Sequence, residues 1–425
     1  MSMLVIPLHA PEARDANRCG PKAANLAVHG QAGLPIPDGF CLAADAYRAQ
    51  IEALGLADTA RGVFGADDAQ ARQCALKMRL TLLKEPIAPH VLEPLLAAWR
   101  ALSARPDSPL VARSSALVED RDGASFAGQF ESFLGIENEA DFLTAIRACW
   151  AALWAPRVLR YMATHDTDPA DTAMAVLVQP LIAARAAGGG LSRTASGGML
   201  VNATRGLGAA IAQGEVAPDR YELDAAGALH ASHAAHPYQP VAGCVHRPLA
   251  TPAKRFEPCL VRAQVEELGR IMRKAEALMG MPVEIEWALD DAGIKLLQAR
   301  PLHLQTEAPH APDEIWLRQP KLRGQPAGAG WAAGRARVVN CECEISSIAP
   351  GDVLVTRIAG PALINVLQLV AGVVAELGGS TSHLASLARE RGVPMVLGVP
   401  NATVSIPDGA QVAVDGVAGI VRWMG

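Results

Sequence analysis

Aromatic side chains make up only 4% of the 425 residues and charged ones only 19%, with a formal net charge of −5. So sparse a set of rings does not build a stacking platform for single-stranded nucleic acid. Scattered Lys and Arg at a near-neutral balance exclude an extended basic surface for nucleic acid or an anionic membrane, leaving room for a small anion pocket. Long apolar runs are also missing. The most apolar stretch, Pro361 to Ala375, is interrupted by Asn365, Gln368 and Gly372 and fits a buried helix and strand better than a membrane span. The N-terminal MSMLVIPLHAPEARD has no basic leader region, and its apolar run is too short for a signal peptide. The eight cysteines form no C-x-x-C; Cys341 and Cys343 make a C-x-C with no second pair at zinc-site spacing. These absences predict a soluble cytoplasmic protein with reduced thiols.

The length is enough for two or three domains, each with its own core. AANLAVHGQAG reads as a helix ended by glycine, LPIPDGFCLAA as extended chain, and residues 66–105 as helical. SPLVARSSA and FESFLGI read as strands, DFLTAIRACWAALWAPRVLRYM as one periodic helix, and AMAVLVQPLI as a buried strand. Over 262–279, Val265, Leu268, Met272, Ala275 and Met279 fall on one helical face with Gly280 as the stop. EIEWAL and IKLLQARPL follow as a hairpin across DDAG. TEAPHAPDE breaks the pattern and reads as a linker over 303–321. Beyond it, short strands (GRARVVN, GDVLVT, AGVVAEL, VPMVLGV, QVAVDG) alternate with helical stretches near 361–370 and 383–391, and there is no internal repeat.

The most specific signal is Glu376-Leu-Gly-Gly-Ser-Thr-Ser-His383 followed by LASLARERGVP. A strand ends, a glycine pair turns the chain, and Thr381, Ser382 and His383 open a helix whose unpaired N–H groups favour an anion. A histidine is mostly neutral at slightly alkaline pH and therefore nucleophilic. Once phosphorylated, its charge would lie against the helix end and the Thr381 hydroxyl. The alternative is a histidine that merely caps a helix beside small polar residues.

With this motif the stretch Glu376–Gly398 resembles the phosphohistidine segment of the swivelling domain in the phosphoenolpyruvate synthase, pyruvate phosphate dikinase and rifampin phosphotransferase family. GQPAGAGWAAGRARVV, PGDVLVTRIAGPA and NATVSIPDGAQVAVDG extend the resemblance over essentially all of 322–425. Residues 18–302 resemble the same family's ATP-grasp region. Gly20-Pro-Lys22-Ala-Ala-Asn-Leu26 is similar to its Gly-Gly-Lys-Gly-x-x-Leu signature, which implies that Lys22 holds ATP phosphates; Pro21 and Ala23 replace glycines there. Leu110-Val-Ala-Arg113-Ser-Ser115, with Glu119-Asp120 and Ala124–Gln129, resembles the family's arginine strand and phosphate loop. It implies that Arg113 and Gln129 contact the triphosphate, with Asp122–Gly128 folding over it. Gln179 matches the strand beside the adenine pocket. Glu284-Ile-Glu286-Trp-Ala and Leu297-Gln298-Ala-Arg300-Pro imply that Glu286 and Gln298 offer oxygens to Mg²⁺ and that Arg300 lies beside the phosphates. The family usually has Asp where Glu284 stands.

Other matches are weaker. Trp150, Trp154 and Arg157 resemble a family helix and are equally readable as packing residues. Ala186–Thr194 stands where the family has Ser-Gly-Val-x-Phe-Thr, and Ala209 replaces a glutamate after Gly206-Leu-Gly208. His230, His233, His236 and His246 read as exposed loop residues, because no Cys or carboxylate joins them at metal spacing.

The resemblance implies a mixed α+β or α/β chain: a two-part ATP-grasp region (1–302), a linker (303–321) and a small β/β/α swivelling phosphohistidine domain (322–425). It implies a dikinase-type reaction in which ATP, with Mg²⁺, phosphorylates His383 to give AMP and Pi, with Thr381 and Arg113 assisting. A linker of about 20 residues reaches ~70 Å at most, so chain length permits the swing. The sequence stops at Gly425, shortly after His383, where phosphoenolpyruvate synthase continues into a pyruvate-binding barrel. Pyruvate is therefore not carried over, and the acceptor is unknown. Three arrangements stay open: an acceptor on a separate subunit, a self-contained kinase with the acceptor between the domains, and a phosphohistidine regulator acting on a protein partner. No nucleic-acid or membrane partner is expected.

Overall fold

The computed structural model describes residues 3–64, 68–104, 109–119, 129–130, 132–163, 165, 167–234, 238–240, 246–248, 258–303, 314–319 and 321–424. Asp120, the Asp122–Gly128 phosphate loop, His236 and linker positions 304–313 lie outside the described residues. By its contacts the chain forms two compact units, Met1–Ala183 with Lys295–Arg300, and Ala184–Ile294 with Pro301–Gly425.

The first unit contains β1 (Val5–Pro7), α1 (Ala16–Gln31), β2 (Phe40–Leu42), α2 (Ala44–Ala53), α3 (Ala57–Arg61), α4 (Asp68–Lys84) and α5 (Pro89–Ser103). It continues with β3 (Leu110–Ala116), β4 (Ser132–Ile136), α6 (Glu139–Ala152), α7 (Pro156–Ala163) and β5 (Met174–Pro180). Its antiparallel sheet has the order β1-β2-β5-β3-β4, with β5 almost wholly buried as its apolar run requires. Two helical readings need correction. Residues 66–105 divide into α4 and α5 around Pro86, and the single helix read over 141–162 divides at Pro156, which opens α7. Proline lacks the N–H that a helix interior needs and is tolerated in a first turn. Trp150 and Trp154 are packing residues of this core, both at most 1% exposed, and Trp154 Nε1 donates to Tyr47 Oη at 2.9 Å.

The second unit begins with β6 (Ala186–Leu191), β7 (Met199–Arg205), α8 (Ala209–Ala212), β8 (Asp219–Leu223), β9 (Leu229–His233), β10 (Tyr238–Pro240) and β11 (His246–Pro248). Next come α9 (Arg262–Met279), β12 (Val283–Asp290) and β13 (Gly293–Pro301), whose Lys295–Arg300 belong to the first unit. Strands β12-β6-β7-β8-β9 are neighbours and run antiparallel. Helix α9 buries Val265, Leu268, Met272 and Ala275 and ends at left-handed Gly280, as its spacing predicts. His230 and His233 stand on β9, so the loop read for them is a strand.

The rest of this unit is α10 (Glu314–Leu317), β14 (Lys321–Arg323), β15 (Gln325–Gly328), β16 (Trp331–Val339), β17 (Val353–Thr356) and β18 (Gly372–Ala375). It closes with α11 (His383–Arg391), β19 (Met395–Leu397), α12 (Ala402–Ser405), β20 (Gln411–Asp415) and β21 (Ile420–Met424). Its eight-stranded sheet has the order β14-β21-β20-β16-β17-β18-β19-β15, and β16 to β19 pair in parallel. Fully buried Val353, Val355, Val374, Val396, Val412 and Val414 fill its core. Each such side chain contributes about 1.5–3 kcal/mol by leaving water. The helix read over 361–370 is shorter: a 3₁₀ turn at Pro361–Asn365. Among the described residues no helix is long and apolar enough to cross a membrane.

Candidate functional site

In the first unit, a cation cluster grows from a break in α1. Pro21 disfavours helical geometry for the residue before it, and Gly20 takes φ +69. A Cβ on Gly20 would lie 2.3 Å from the Ser115 carbonyl oxygen, so only glycine lets the chain pass β3 here. The helix then resumes with Lys22 in its first turn. Lys22 Nζ donates to Ser114 O at 2.5 Å and pairs with Glu119 Oε1 at 3.2 Å. Pro21, read as a departure from the family's glycines, thus takes part in presenting Lys22 toward β3.

Arg113 extends the cluster. Its guanidinium donates to Leu297 O at 2.9 Å and to Gln298 Oε1 at 2.8 Å, and Gln298 and Arg300 share one face of β13. Gln298 and Arg300 are 6% and 7% exposed. Arg113 is thus bonded to Gln298, with Arg300 on the same face of β13 and Lys22 on the carbonyl of Ser114, the residue after Arg113, a set of side chains suited to the charge of a polyphosphate. Gln179 Nε2 donates to Pro37 O at 3.0 Å, which fixes that buried amide. Gln129 is buried; its carbonyl accepts from Arg157 Nε at 3.0 Å, and its side-chain Oε1 has no partner among the described residues.

In the second unit, Ser382 caps α11 by accepting from Ala385 N at 3.3 Å, leaving His383 half-buried as the first helical residue. Arg389 and Arg391 occupy the last turn, complementing the helix dipole, and Gly392 ends the helix with φ +70. Gly378, at φ +105, makes the preceding turn and donates its N–H to Val216 O at 3.1 Å.

This loop rests on the face of β12, β6 and β7. Glu286, Gly189 and Asn202 are directly paired across those three antiparallel strands and so present one row on one face. Thr381 sits over the middle of the row: a Cβ on Gly189 would lie 2.5 Å from Thr381 Cβ, and Asn202 Nδ2 donates to Thr381 Oγ1 at 3.3 Å. The glycines of the divergent segment 186–194 are thereby explained. A Cβ at Gly188 would meet Asn202 O at 2.0 Å, and one at Gly190 would meet Met272 Sδ at 2.7 Å. Glu284, two residues from Glu286 on the same face, accepts from Arg389 Nη2 at 2.9 Å and Ser386 Oγ at 3.0 Å.

The structure thus places Lys22, Arg113, Gln298 and Arg300 in one unit, and His383, Thr381 and Glu286 in the other. Motif reading missed Asn202, Ser386 and Arg389, since each looks like an ordinary strand or helix residue; Gly188-Gly189-Gly190 was the available signal of a close approach.

A cation cluster in one unit and a capped histidine in the other fit a nucleotide-dependent phosphoryl carrier, and comparison with known families agrees. Residues 16–317 match the pyruvate phosphate dikinase, AMP/ATP-binding domain, and residues 348–419 match the PEP-utilising enzyme, mobile domain. The chain belongs to the pyruvate phosphate dikinase family. The resemblance drawn from the motifs is borne out, as is the mixed α and β fold. Among curated relatives, the phosphoenolpyruvate synthase of Aeropyrum pernix is 30% identical over 95% of this chain and 56% of its own. The probable phosphoenolpyruvate synthase of Methanothermobacter thermautotrophicus is 29% identical over 96% of this chain and 61% of its own. The chain therefore spans a little over half the length of these relatives.

Proposed function

We propose that this chain uses ATP to phosphorylate its own His383 and passes the phosphoryl group to an acceptor held elsewhere, as a dikinase-type phosphotransferase. The observation that carries this reading is His383 at the start of α11, capped by Ser382, in a loop whose Thr381 hydroxyl is held by Asn202. Family membership supports ATP as the donor. An imidazole nitrogen of His383 attacks the β-phosphorus. The new N–P bond replaces the bond from that phosphorus to the oxygen bridging to AMP, AMP leaves, and the imidazole proton goes to solvent. Transfer of the terminal phosphoryl group to water then releases Pi and leaves phosphohistidine.

Lys22, Arg113 and Arg300 neutralise charge that builds on the phosphates, and the N–H groups of α11 favour the phosphorylated anion. Gln179 and Gln129 complete the nucleotide contacts implied by the family. Glu286 and Gln298 present only oxygen donors, the set that Mg²⁺ prefers, and would hold that ion. When bound it would supply charge neutralisation of the polyphosphate. The acceptor is assigned to a component beyond the nucleotide-binding and mobile parts, in our reading a separate subunit.

ATP labelled at its β-phosphate should leave an acid-labile label on the protein together with AMP, and His383→Ala should abolish the label. ADP as the sole nucleotide product, or equal label in that variant, would overturn the reading.

A further inference from the structure

We propose that Glu284 is a positioning residue for His383: from β12 it grips α11 through Arg389 and Ser386, fixing the rotation of the helix that carries the phosphorylated histidine. The proposal rests on the function just given and adds a residue to it. Glu284 Oε2 accepts from both Arg389 Nη2, at 2.9 Å, and Ser386 Oγ, at 3.0 Å. The Glu284 and Arg389 side chains are 4% and 9% exposed. The same guanidinium turns its other nitrogen inward, where Nη1 donates to Ser380 O at 2.6 Å and Ala327 O at 3.2 Å. One side chain therefore ties together three parts: β12, helix α11, and the loop that delivers Thr381 and His383.

Ser386 and Arg389 lie three and six residues beyond His383, about 4.5 and 9 Å along the axis at ~1.5 Å per residue. Gripping a helix at two points on one flank sets its rotation. A turn of about 20° moves a group ~6 Å from the axis by about 2 Å, taking that radius from the usual helix diameter. Displacements of about 1 Å at a reacting atom cost up to ~100-fold in rate. The family's usual Asp would be one methylene shorter; Glu284 has the length that reaches both donors here.

The chemistry of the seam also suits a domain that must let go. A buried ion pair gains little net energy, because desolvation offsets much of the attraction, yet it is demanding in geometry. An apolar contact of the same area would hold more tightly and specify less. The seam thus gives register without permanence.

The test pairs kinetics with a distance. In Glu284→Gln, labelling of His383 at saturating ATP should slow at least 10-fold while ATP affinity stays within twofold, and Glu284→Asp should fall between. Ser386→Ala, a milder change that leaves the ion pair intact, should slow labelling several-fold in the same direction. Independently of activity, spin labels on exposed Cys343 and on a cysteine replacing His233 should give one narrow distance that broadens in Glu284→Gln. An unchanged labelling rate and distance distribution would overturn the proposal. Parallel loss of ATP affinity would also overturn it, by making Glu284 a nucleotide ligand. If the native chain takes no label at His383, the proposed function fails, and the distance measurement still decides whether Glu284 docks α11.

Discussion

Lys22 Nζ donates to the Ser114 carbonyl at 2.5 Å and pairs with Glu119 Oε1 at 3.2 Å, with side chains only 12% and 6% exposed. The cation assigned to ATP phosphates is thus also the counter-ion of a buried carboxylate. Lys22→Met should therefore weaken ATP binding and destabilise the fold, by about 3–5 kcal/mol as is usual when one member of a buried ion pair is removed. Lys22→Met combined with Glu119→Gln should regain most of the stability and none of the ATP binding. Denaturant unfolding and calorimetric ATP titration measure the two effects separately. A single variant that unfolds like the native chain would show that Glu119 does not depend on Lys22.

Gly189 makes a second prediction. A Cβ there would stand 2.5 Å from Thr381 Cβ, so Gly189→Val forces the phosphohistidine loop off β6. Strand β6 itself tolerates a β-branched residue. ATP binding should persist, and labelling of His383 should fall at least 10-fold. Native labelling rates in this variant would mean that the contact between Thr381 and Gly189 plays no part in phosphorylation.

Much of this was legible beforehand because the informative residues are local. Ser382-His383 declares a helix start through its cap, and Gly280 and Gly392 declare helix ends through their left-handed geometry. The strands of the C-terminal module follow from their short valine-rich runs. What stayed hidden depends on partners distant in sequence. Gly189 looks like a weakened strand until Thr381 is placed over it, and Glu284 looks like a conservative replacement until Arg389 meets it. Helix length failed where proline intervened: periodicity continued across Pro156 although the hydrogen-bond ladder does not.

Thr381 offers a finer test than glycine. Asn202 is fully buried, its Nδ2 donates to Thr381 Oγ1, and its Oδ1 has no partner among the described residues. Thr381→Val keeps the shape and removes the hydroxyl, leaving an unmet amide at a cost of about 1–3 kcal/mol in the docked state. Thr381→Ser keeps the oxygen and loses only a methyl group. Labelling of His383 should slow about 10-fold or more in the valine variant and stay within about threefold of native in the serine variant, on the free-energy scale of a lost hydrogen bond. Equal rates in both would assign Thr381 a purely steric role.

Gln298 and Glu286 are both proposed magnesium ligands, yet their surroundings predict different losses. Gln298 Oε1 already accepts from Arg113 Nη2 at 2.8 Å, so Gln298→Ala removes an oxygen and also one of the bonds that align the guanidinium, which keeps its bond to Leu297 O. Glu286 stands in the other unit, on the face of β12 that carries Glu284. Its loss should act on the metal requirement alone. In titrations of AMP formation against Mg²⁺ at fixed ATP, Glu286→Ala should need at least 10-fold more metal, while its affinity for metal-free AMP stays native. Gln298→Ala should shift the metal requirement and weaken nucleotide binding as well, because Arg113 has lost its alignment. Mn²⁺, which favours the same oxygen donors, should partly replace Mg²⁺ in both variants. An unchanged metal requirement in both would remove them from the metal site. A shift in AMP affinity for Glu286→Ala would instead mark that carboxylate as part of nucleotide recognition.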